Sequence, residues 1–333
     1  MSPELSFVIP FMNEEQTLRP LFEGIRESAE GLDKSFELIF IDDGSTDGSA
    51  AVAEALCREN PGVVKLIALR GNFGKSAALA AGFGEAHGQV VFTMDADLQD
   101  DPKEIPRFLE KLDEGFDLVS GYKKTRHDPI TKVVPSRIFN AMVRWLTGTH
   151  LHDVNCGFKA YRHVVIENVR LYGELHRFVP ILAHARRFRI GEIEVLHHPR
   201  KHGVSKFGGG RFFRGLMDLL TVYFIMRYER RPAHFFGGVG ALCSIGGFGI
   251  LSYLTVLWFM GEAIGHRPLL SLGVLLVVVG IQFLATGLIG ELLVHIGGTA
   301  PPYLVRHVVY EEPEHPEVLP LTPSPSASHA PHA

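Results

Sequence analysis

The sequence predicts an α/β fold, an open and mostly parallel sheet, followed by a helical membrane anchor. Three observations predict it. Short β-rich runs alternate with helical patterns from residue 1 to about 205. Acidic and glycine-rich motifs recur where those runs end. Two long runs without a charged residue then follow, Phe235–Met260 and Leu269–Gly290. Strand, helix, strand in repetition reads as a parallel sheet with crossover helices. Such sheets bind ligands outside the carboxyl ends of their strands.

Five strands are expected, at Leu5–Pro10, Phe36–Ile41, Val63–Leu69, Val90–Met94 and Asp117–Gly121. Leu18, Leu21, Phe22 and Ile25 recur at helical spacing after the first, and Ile105, Phe108, Leu109 and Leu112 do so before the fifth. The helix from Ser76 to Ala86 is built of small residues and can pack close to the sheet. From Gly208 to Arg231, Phe212, Phe213, Leu216, Leu219, Leu220, Tyr223 and Phe224 cover one side of a helical pattern. Arg211, Arg214, Arg227, Arg230 and Arg231 bracket it. An amphipathic helix in a membrane interface has this composition, and so does a core helix; the apolar runs beside it favour the membrane.

Each of those two runs is long enough to cross a hydrocarbon core of roughly 30 Å. The loop between them, Gly261–Pro268, is short, which makes a helical hairpin, and its polar groups are few: Glu262, His266 and Arg267. Arginines gather before the first run and Arg306 follows the second. The positive-inside rule then places both termini in the cytoplasm. Glu291 is expected at the interface. The stretch 311–333, rich in Pro, Ser, His and Glu, is expected to be disordered. The expected organisation is a 1–207 catalytic domain, a 208–231 juxtamembrane helix region, a 232–296 hairpin and a 297–333 cytoplasmic tail.

Bulk properties exclude some classes. A net charge of −4 speaks against a nucleic-acid partner. Cys57, Cys156 and Cys243 are far apart, which fits a reducing compartment and neither a disulfide framework nor a zinc site. The start, Met1-Ser2-Pro3-Glu4, has no basic n-region or apolar h-region, so no cleaved signal peptide is expected.

The chemistry lies at the strand ends. The fourth strand ends in Asp95-Ala96-Asp97, with Gln99 two residues on. These are oxygen donors of the kind Mg²⁺ and Mn²⁺ prefer, and Mg²⁺ usually shares its shell with substrate phosphates. Acidic clusters after strands are also ordinary loop chemistry. The first strand runs into Pro10-Phe11-Met12-Asn13-Glu14, where Asn13 can cap the following helix and also borders the ligand crevice. The second runs into Asp42-Asp43-Gly44-Ser45-Thr46-Asp47, where Ser45 or Thr46 can cap a helix. A carboxylate at that point can accept a base N–H or a ribose hydroxyl.

The third strand leads to Arg70-Gly71-Asn72-Phe73-Gly74-Lys75-Ser76. A phosphate-binding P-loop would need its first glycine at position 69, which is Leu69, so an NTPase is excluded. Arg144-Trp145 lacks the glutamine that a Gln-x-x-Arg-Trp motif needs three residues earlier, because that residue is Ala141. His150, His152, His197, His198 and His202 have no spacing diagnostic of a metal site.

Four motifs in order, Pro10-x-x-Asn13-Glu14, Ile41-Asp42-Asp43-Gly44-Ser45-x-Asp47, Asn72-x-Gly74-Lys75 and Met94-Asp95-Ala96-Asp97-Leu98-Gln99-Asp100-x-Pro102, resemble those of family 2 glycosyltransferases. The Asp-Ala-Asp-Leu-Gln form is similar to that of dolichol-phosphate mannose synthases and bacterial polyprenyl-phosphate glycosyltransferases. The resemblance covers residues 5 to about 207 and implies the Rossmann-like GT-A fold; a two-span tail is typical of the bacterial members. It implies that Asp95, Asp97 and Gln99 hold the metal and diphosphate, with Ala96 in the same turn. It implies that Asp42 and Asp43 contact nucleobase and ribose, and that Pro10, Asn13, Glu14 and Lys75 border that pocket. Gly121-Tyr122-Lys123 and Lys132-x-x-x-Ser136 match the region binding the acceptor phosphate. Related enzymes often carry arginine at these two basic positions, and lysine keeps the charge without the bidentate fork. Asp153-x-x-x-Gly157-Phe158-Lys159 matches a motif near the sugar, and Arg200-x-x-Gly203-x-Ser205-Lys206 the C-terminal phosphate-binding loop.

The expected reaction is inverting, metal-dependent sugar transfer from a nucleotide-diphosphate-sugar to a polyprenyl phosphate, undecaprenyl or dolichyl, at the cytoplasmic membrane face. The expected cofactor is Mg²⁺ or Mn²⁺, and the partners are donor, acceptor and lipid bilayer, with a homo-oligomer by family precedent. Two alternatives stay open: transfer to another membrane lipid, with Asp153 as the base a hydroxyl acceptor needs, and a non-catalytic membrane scaffold of the same fold.

Overall fold

A computed structural model describes residues 3–123, 140–149, 151–169, 171, 173, 175–196, 198, 210–228, 231–265 and 268–296. The apolar runs form β1 (Leu5–Phe11), β2 (Phe36–Asp42), β3 (Val64–Ala68), β4 (Val90–Thr93) and β5 (Leu118–Tyr122). Two further strands, β6 (Lys159–Arg162) and β7 (Ile190–Glu194), were not among the five expected. The sheet has seven strands in the order β3-β2-β1-β4-β6-β5-β7. All neighbours are parallel except β6, which runs against both β4 and β5.

Side-chain alternation along the strands builds a core on each face. Phe7, Ile9 and Phe11 of β1, with Leu38 and Phe40 of β2, pack against α1 (Leu18–Glu30), α2 (Ser49–Glu59) and α4 (Ile105–Asp113). Phe7 stacks on Phe92, which meets Phe108 edge-on. On the other face Val8, Ile39 and Ile41 meet α3 (Lys75–Glu85), the helical residues 140–147 (α5), α6 (His163–Asn168) and α7 (Val179–Ala185). The small-residue helix α3 does lie close: a Cβ on Gly82 would come within 2.4 Å of Val8.

The register aligns one edge. Phe11 pairs with Asp42 and Asp42 with Ala68, so β1, β2 and β3 end together. Strand order reverses between β1 and β4, the topological switch point at which such sheets take their ligands. Because β6 is antiparallel, its first residue also reaches this edge, with Lys159 paired to Thr93 of β4 and Ser120 of β5.

The opposite edge carries an open depression of about 660 Å³ lined in part by Phe36, Glu37, Lys65 and His87. The buried Glu37 carboxylate there is met by the Ser6 hydroxyl, the His87 N–H and the Lys65 ammonium group. These contacts pin the starts of β1, β2 and β3.

After the sheet domain come α8 (Gly210–Tyr228), α9 (Pro232–Phe259) and α10 (Pro268–Ile296). One side of α8 packs on the sheet domain. Leu219 and Val222 are buried in the second core, whereas Met217 and Leu220 are exposed. Phe224 and Tyr228 of α8 pack against Phe235 at the start of α9. At 1.5 Å per residue, α9 and α10 are about 42 and 44 Å long, and both are apolar enough to cross a membrane. Along their seam Gly240 lies against Gly280, Gly247 against Gly273 and Gly287 against Ala233 and Phe236, so the two backbones touch, while Leu242, Ile245, Leu275 and Leu288 point outward. Glu291 accepts a hydrogen bond from Ala233 N–H at 3.4 Å and thus reaches the N-terminus of α9.

Candidate active site

The loops beyond the aligned strand ends converge, and each is held by its own side chains. Asn13 does not cap α1, contrary to expectation. It sits at φ 60°, its N–H donates to Ser45 Oγ and its Oδ1 accepts from Thr46 N–H at 2.8 Å. The N-cap position of α1 is Thr17, with no side-chain cap. Asn13 therefore ties the β1 loop to the β2 loop from a left-handed backbone, which Asn tolerates better than most residues. Ser45 and Thr46 do not cap α2 either: its N-cap is Gly48, and Asp47 Oδ1 accepts from Ser49 N–H. The Glu14 N–H donates to Ser49 Oγ. Pro10 lies half-buried near the end of β1.

The paired acids of β2 are both buried. Asp42 Oδ1 accepts from Ser45 N–H at 2.8 Å and folds its own turn. Asp43 reaches the next loop, accepting from Phe73 N–H at 2.7 Å and from Gly74 N–H at 3.0 Å. An anion there suits the start of α3. Gly44 at φ 79° lets the loops close, since a Cβ would lie 2.7 Å from the Gly71 backbone.

Beyond β4 stands the acidic turn. Asp97, Ala96 and Asp100 are buried and Asp95 is half-buried. Leu98 has φ 58°, a strained backbone of the kind found at functional turns. Asp97 Oδ1 accepts from Gln99 N–H. The Gln99 side-chain nitrogen donates to His198 O at 3.3 Å, and His198 N–H donates back to Gln99 O at 2.9 Å. The segment after β7 thereby braces the turn, and the amide oxygen of Gln99 is the atom able to meet a cation.

Three lysines face these acids. Lys75 pairs directly with Asp95. Lys123 Nζ lies 3.8 Å from Asp100 Oδ1. Lys159, buried, donates to the Cys156 carbonyl. Burial opposes ionisation of Asp95, but Lys75, with Lys123 and Lys159, brings it down to about 2. Asp100 is pushed up to about 6 by burial, eased by Lys123 and worsened by Asp95 and Asp97. Burial lowers Lys123 less than Asp100, Asp95 and Asp153 raise it, and its net direction is up. Burial and the nearby Lys75 hold Lys159 below the usual lysine range. Burial lifts the Cys156 thiol to about 12, which removes it as a nucleophile.

Asp153 is buried and its Oδ1 accepts from Asn155 N–H. Its charge favours the protonated form of both Lys123 and Lys159. Lys132, Ser136, Arg200 and Lys206 lie outside the described residues.

Among the described residues no three His, Cys, Asp or Glu side chains form a metal cage. The donor set still suits a hard cation. Asp95, Asp97 and Gln99 offer oxygen alone; burial is the main cause of the raised Asp100, and the negative charge of Asp95 and Asp97 that adds to it is what a cation relieves. Mg²⁺ completes such partial sets with phosphate oxygens and water.

Two participants escaped the sequence reading. In the sequence Lys159 belongs to a motif and carries no mark of a site cation. His176 belongs to no motif; its Nδ1 is 2.9 Å from Ser76 Oγ, next to Lys75.

Comparison with known proteins bears on this arrangement. A sequence model of the family described as Glycosyl transferase family 2 matches residues 6–170. The chain is similar to the dodecaprenyl-phosphate galacturonate synthase of Rhizobium johnstonii, 39% identical over 320 residues that cover 92% of this chain and 93% of that protein. It is also similar to the undecaprenyl-phosphate 4-deoxy-4-formamido-L-arabinose transferase of Salmonella choleraesuis, 34% identical over 314 residues, 93% of this chain and 94% of that one. Among solved structures, glucosyl-3-phosphoglycerate synthase from Mycobacterium tuberculosis with Mn²⁺ and UDP-glucose matches with a TM-score of 0.51 and 22% identity over 66% of this chain and 79% of that chain. The same enzyme with Mg²⁺ and UDP gives 0.52 at 21% identity, over 66% and 79%. At that identity the structural likeness speaks for the fold alone.

Proposed function

The chain belongs to glycosyl transferase family 2, a glycosyltransferase of GT-A fold, and from that premise we propose that it moves a sugar from a nucleotide-diphosphate-sugar to a polyprenyl phosphate. The transfer takes place at the cytoplasmic membrane face, inverts the anomeric centre and depends on Mg²⁺ or Mn²⁺. The two relatives named for polyprenyl phosphates match this chain over more than nine-tenths of its length, which supports the acceptor class. The observation that carries the chemistry is the meeting of an acidic turn with Lys75, Lys123 and Lys159 at one sheet edge.

Asp95, Asp97 and Gln99 are the residues that would hold the cation. When bound, it would supply Lewis-acid neutralisation of the departing diphosphate. The remaining work belongs to the chain. Asp42 and Asp43 order the loops that border the nucleoside, and Pro10, Asn13 and Glu14 form the neighbouring wall. Lys75 brings positive charge from the start of α3 toward the diphosphate. A phosphate monoester acceptor is largely ionised at neutral pH, its second pKa being about 6, so it needs placement more than a base. Lys123 supplies that placement, assisted by Lys132, Ser136 and Arg200. Attack from the face opposite the leaving diphosphate inverts configuration. Asp153 sets the charge around Lys123 and Lys159. We assign 1–207 to catalysis, 208–231 to the membrane interface and 232–296 to the membrane.

The test is a donor screen with detergent-extracted protein, a short polyprenyl phosphate and Mg²⁺ or Mn²⁺, run beside Asp97→Ala. Transfer should appear with one nucleotide-sugar. Asp97→Ala should lower it on the order of 100-fold or more. Full activity in that variant would remove the metal assignment, and transfer to a hydroxyl lipid alone would replace the acceptor.

A further inference from the structure

We propose that His176 is a positioning residue for the donor site, acting through Ser76 to fix the direction in which Lys75 presents its ammonium group to Asp95. The inference rests on the reading of Lys75 as a donor-site cation.

Lys75 is the first residue of α3, and the helix has no side-chain cap at Gly74, which stands at φ 88°. The helix start is held by two clamps instead. Upstream, the Asp43 carboxylate accepts from the N–H groups of Phe73 and Gly74. Downstream, Ser76 Oγ accepts from the backbone N–H of His176 at 3.1 Å and is bonded to its ring Nδ1 at 2.9 Å. Ser76 is buried and His176 lies a hundred residues on, in the 3-10 turn Leu175–Phe178 before α7. Two hydrogen bonds to one hydroxyl fix both the turn and the helix start, and Lys75 lies between the two clamps.

The ring is suited to this duty because it is neutral. Burial, then Lys75, Arg177 and Lys159, holds its pKa at about 3. An imidazolium there would add positive charge beside Lys75 and Lys159. A neutral ring locks Ser76 without opposing the Lys75–Asp95 pair.

The test measures binding of uridine or guanosine diphosphate, whichever the wild type takes, by calorimetry on the full chain in detergent with Mg²⁺. His176→Ala, His176→Asn and Ser76→Ala are compared in the Lys75 and the Lys75→Ala backgrounds. His176→Ala should weaken binding about tenfold, one hydrogen-bond equivalent. The shorter His176→Asn still offers an oxygen at the Nδ1 position and should stay within about threefold of wild type. In the Lys75→Ala background the loss should shrink to roughly nothing, because residues that act as a unit are not additive. An equal loss in both backgrounds would overturn the proposal, as would wild-type binding in His176→Ala. Should His176→Ala fail to fold, Ser76→Ala tests the same link from the other partner. Binding is read without acceptor, so a wild type that ignores polyprenyl phosphate would sink the acceptor assignment and leave this inference standing.

Discussion

A methyl group at position 157 would stand 2.6 Å from Asp95 Oδ1, closer than packed atoms come. Gly157 is thus the space into which the Asp95 carboxylate fits while it pairs with Lys75. Gly157→Ala should move Asp95 and cost about tenfold or more in kcat/KM for the donor while leaving the fold intact; steady-state kinetics beside circular dichroism checks this. His176 makes a prediction about acid. Its folded pKa is depressed to about 3 from an ordinary 6.5. Below 6.5 the unfolded chain takes up a proton that the folded chain refuses until about 3, so stability is present above 6.5 and is lost as pH falls toward 3. His176→Asn carries no such proton, and its melting temperature should fall less than that of the wild type between pH 6.5 and 3. Much of the site is legible in the sequence because Asp42, Asp43, Asp95 and Asp97 follow apolar runs, where the chain must leave the sheet. His176 is not legible, because its partner Ser76 is a hundred residues away and no local pattern joins them. Asn13 was legible as a loop residue but not in its role, since Asn at a helix start ordinarily caps and here a left-handed backbone turns it to the β2 loop.

Elements were readable where they are apolar and local. The strands β1 to β5 are mostly apolar, with only isolated polar residues such as Glu37 and Lys65, and fall within a residue or so of expectation. β6 is four residues long, Lys-Ala-Tyr-Arg, and begins and ends in charge. It is a strand because β4 and β5 enclose it, and it buries Lys159 for the site's sake. β7, Ile-Gly-Glu-Ile-Glu, is an edge strand whose outer face mixes Ile190 with Glu192 and Glu194, a pattern too weak to distinguish from a loop. The helical pair α9 and α10 depends on glycine in a way its hydropathy does not disclose. A Cβ on Gly280 would come 2.2 Å from Ser244 Oγ and 2.7 Å from Gly240 O, whereas one on Gly246 meets nothing within 4 Å. Gly280→Val should therefore force the helices apart and lower the melting temperature in detergent by several degrees, an overpacking cost of about 1–3 kcal/mol. Gly246→Val should leave it near wild type, and equal behaviour of the two variants would contradict the seam.

At the scale of the whole molecule, the contacts determine which parts share a side of the membrane. Leu219 and Val222 tie α8 to the second core, and Phe224 and Tyr228 tie it to Phe235 at the start of α9. Pro232 lies against Gly290, and Glu291 reaches Ala233, so α10 returns to the end from which α9 departs. The α/β domain, the start of α9 and the end of α10 therefore lie together, and residues 261–265 lie at the far end of two helices about 42–44 Å long. Charge chooses the side. Five arginines of 211–231 precede α9, against one, Arg267, in the loop, which favours the cytoplasm for the domain. On the proposed function the donor is a nucleotide-sugar, which being charged does not cross a bilayer unaided, so the catalytic edge is expected to face the compartment that holds it. The expectation can be read in intact cells with a membrane-impermeant maleimide, using the wild-type chain as the blank for Cys57, Cys156 and Cys243. Gly265→Cys, in the loop, should label at once. Glu30→Cys, exposed on α1, should label only after the cells are opened. The reverse pattern would turn the molecule over in the membrane and place its acidic turn and lysines on the outer face, away from the donor this reaction requires.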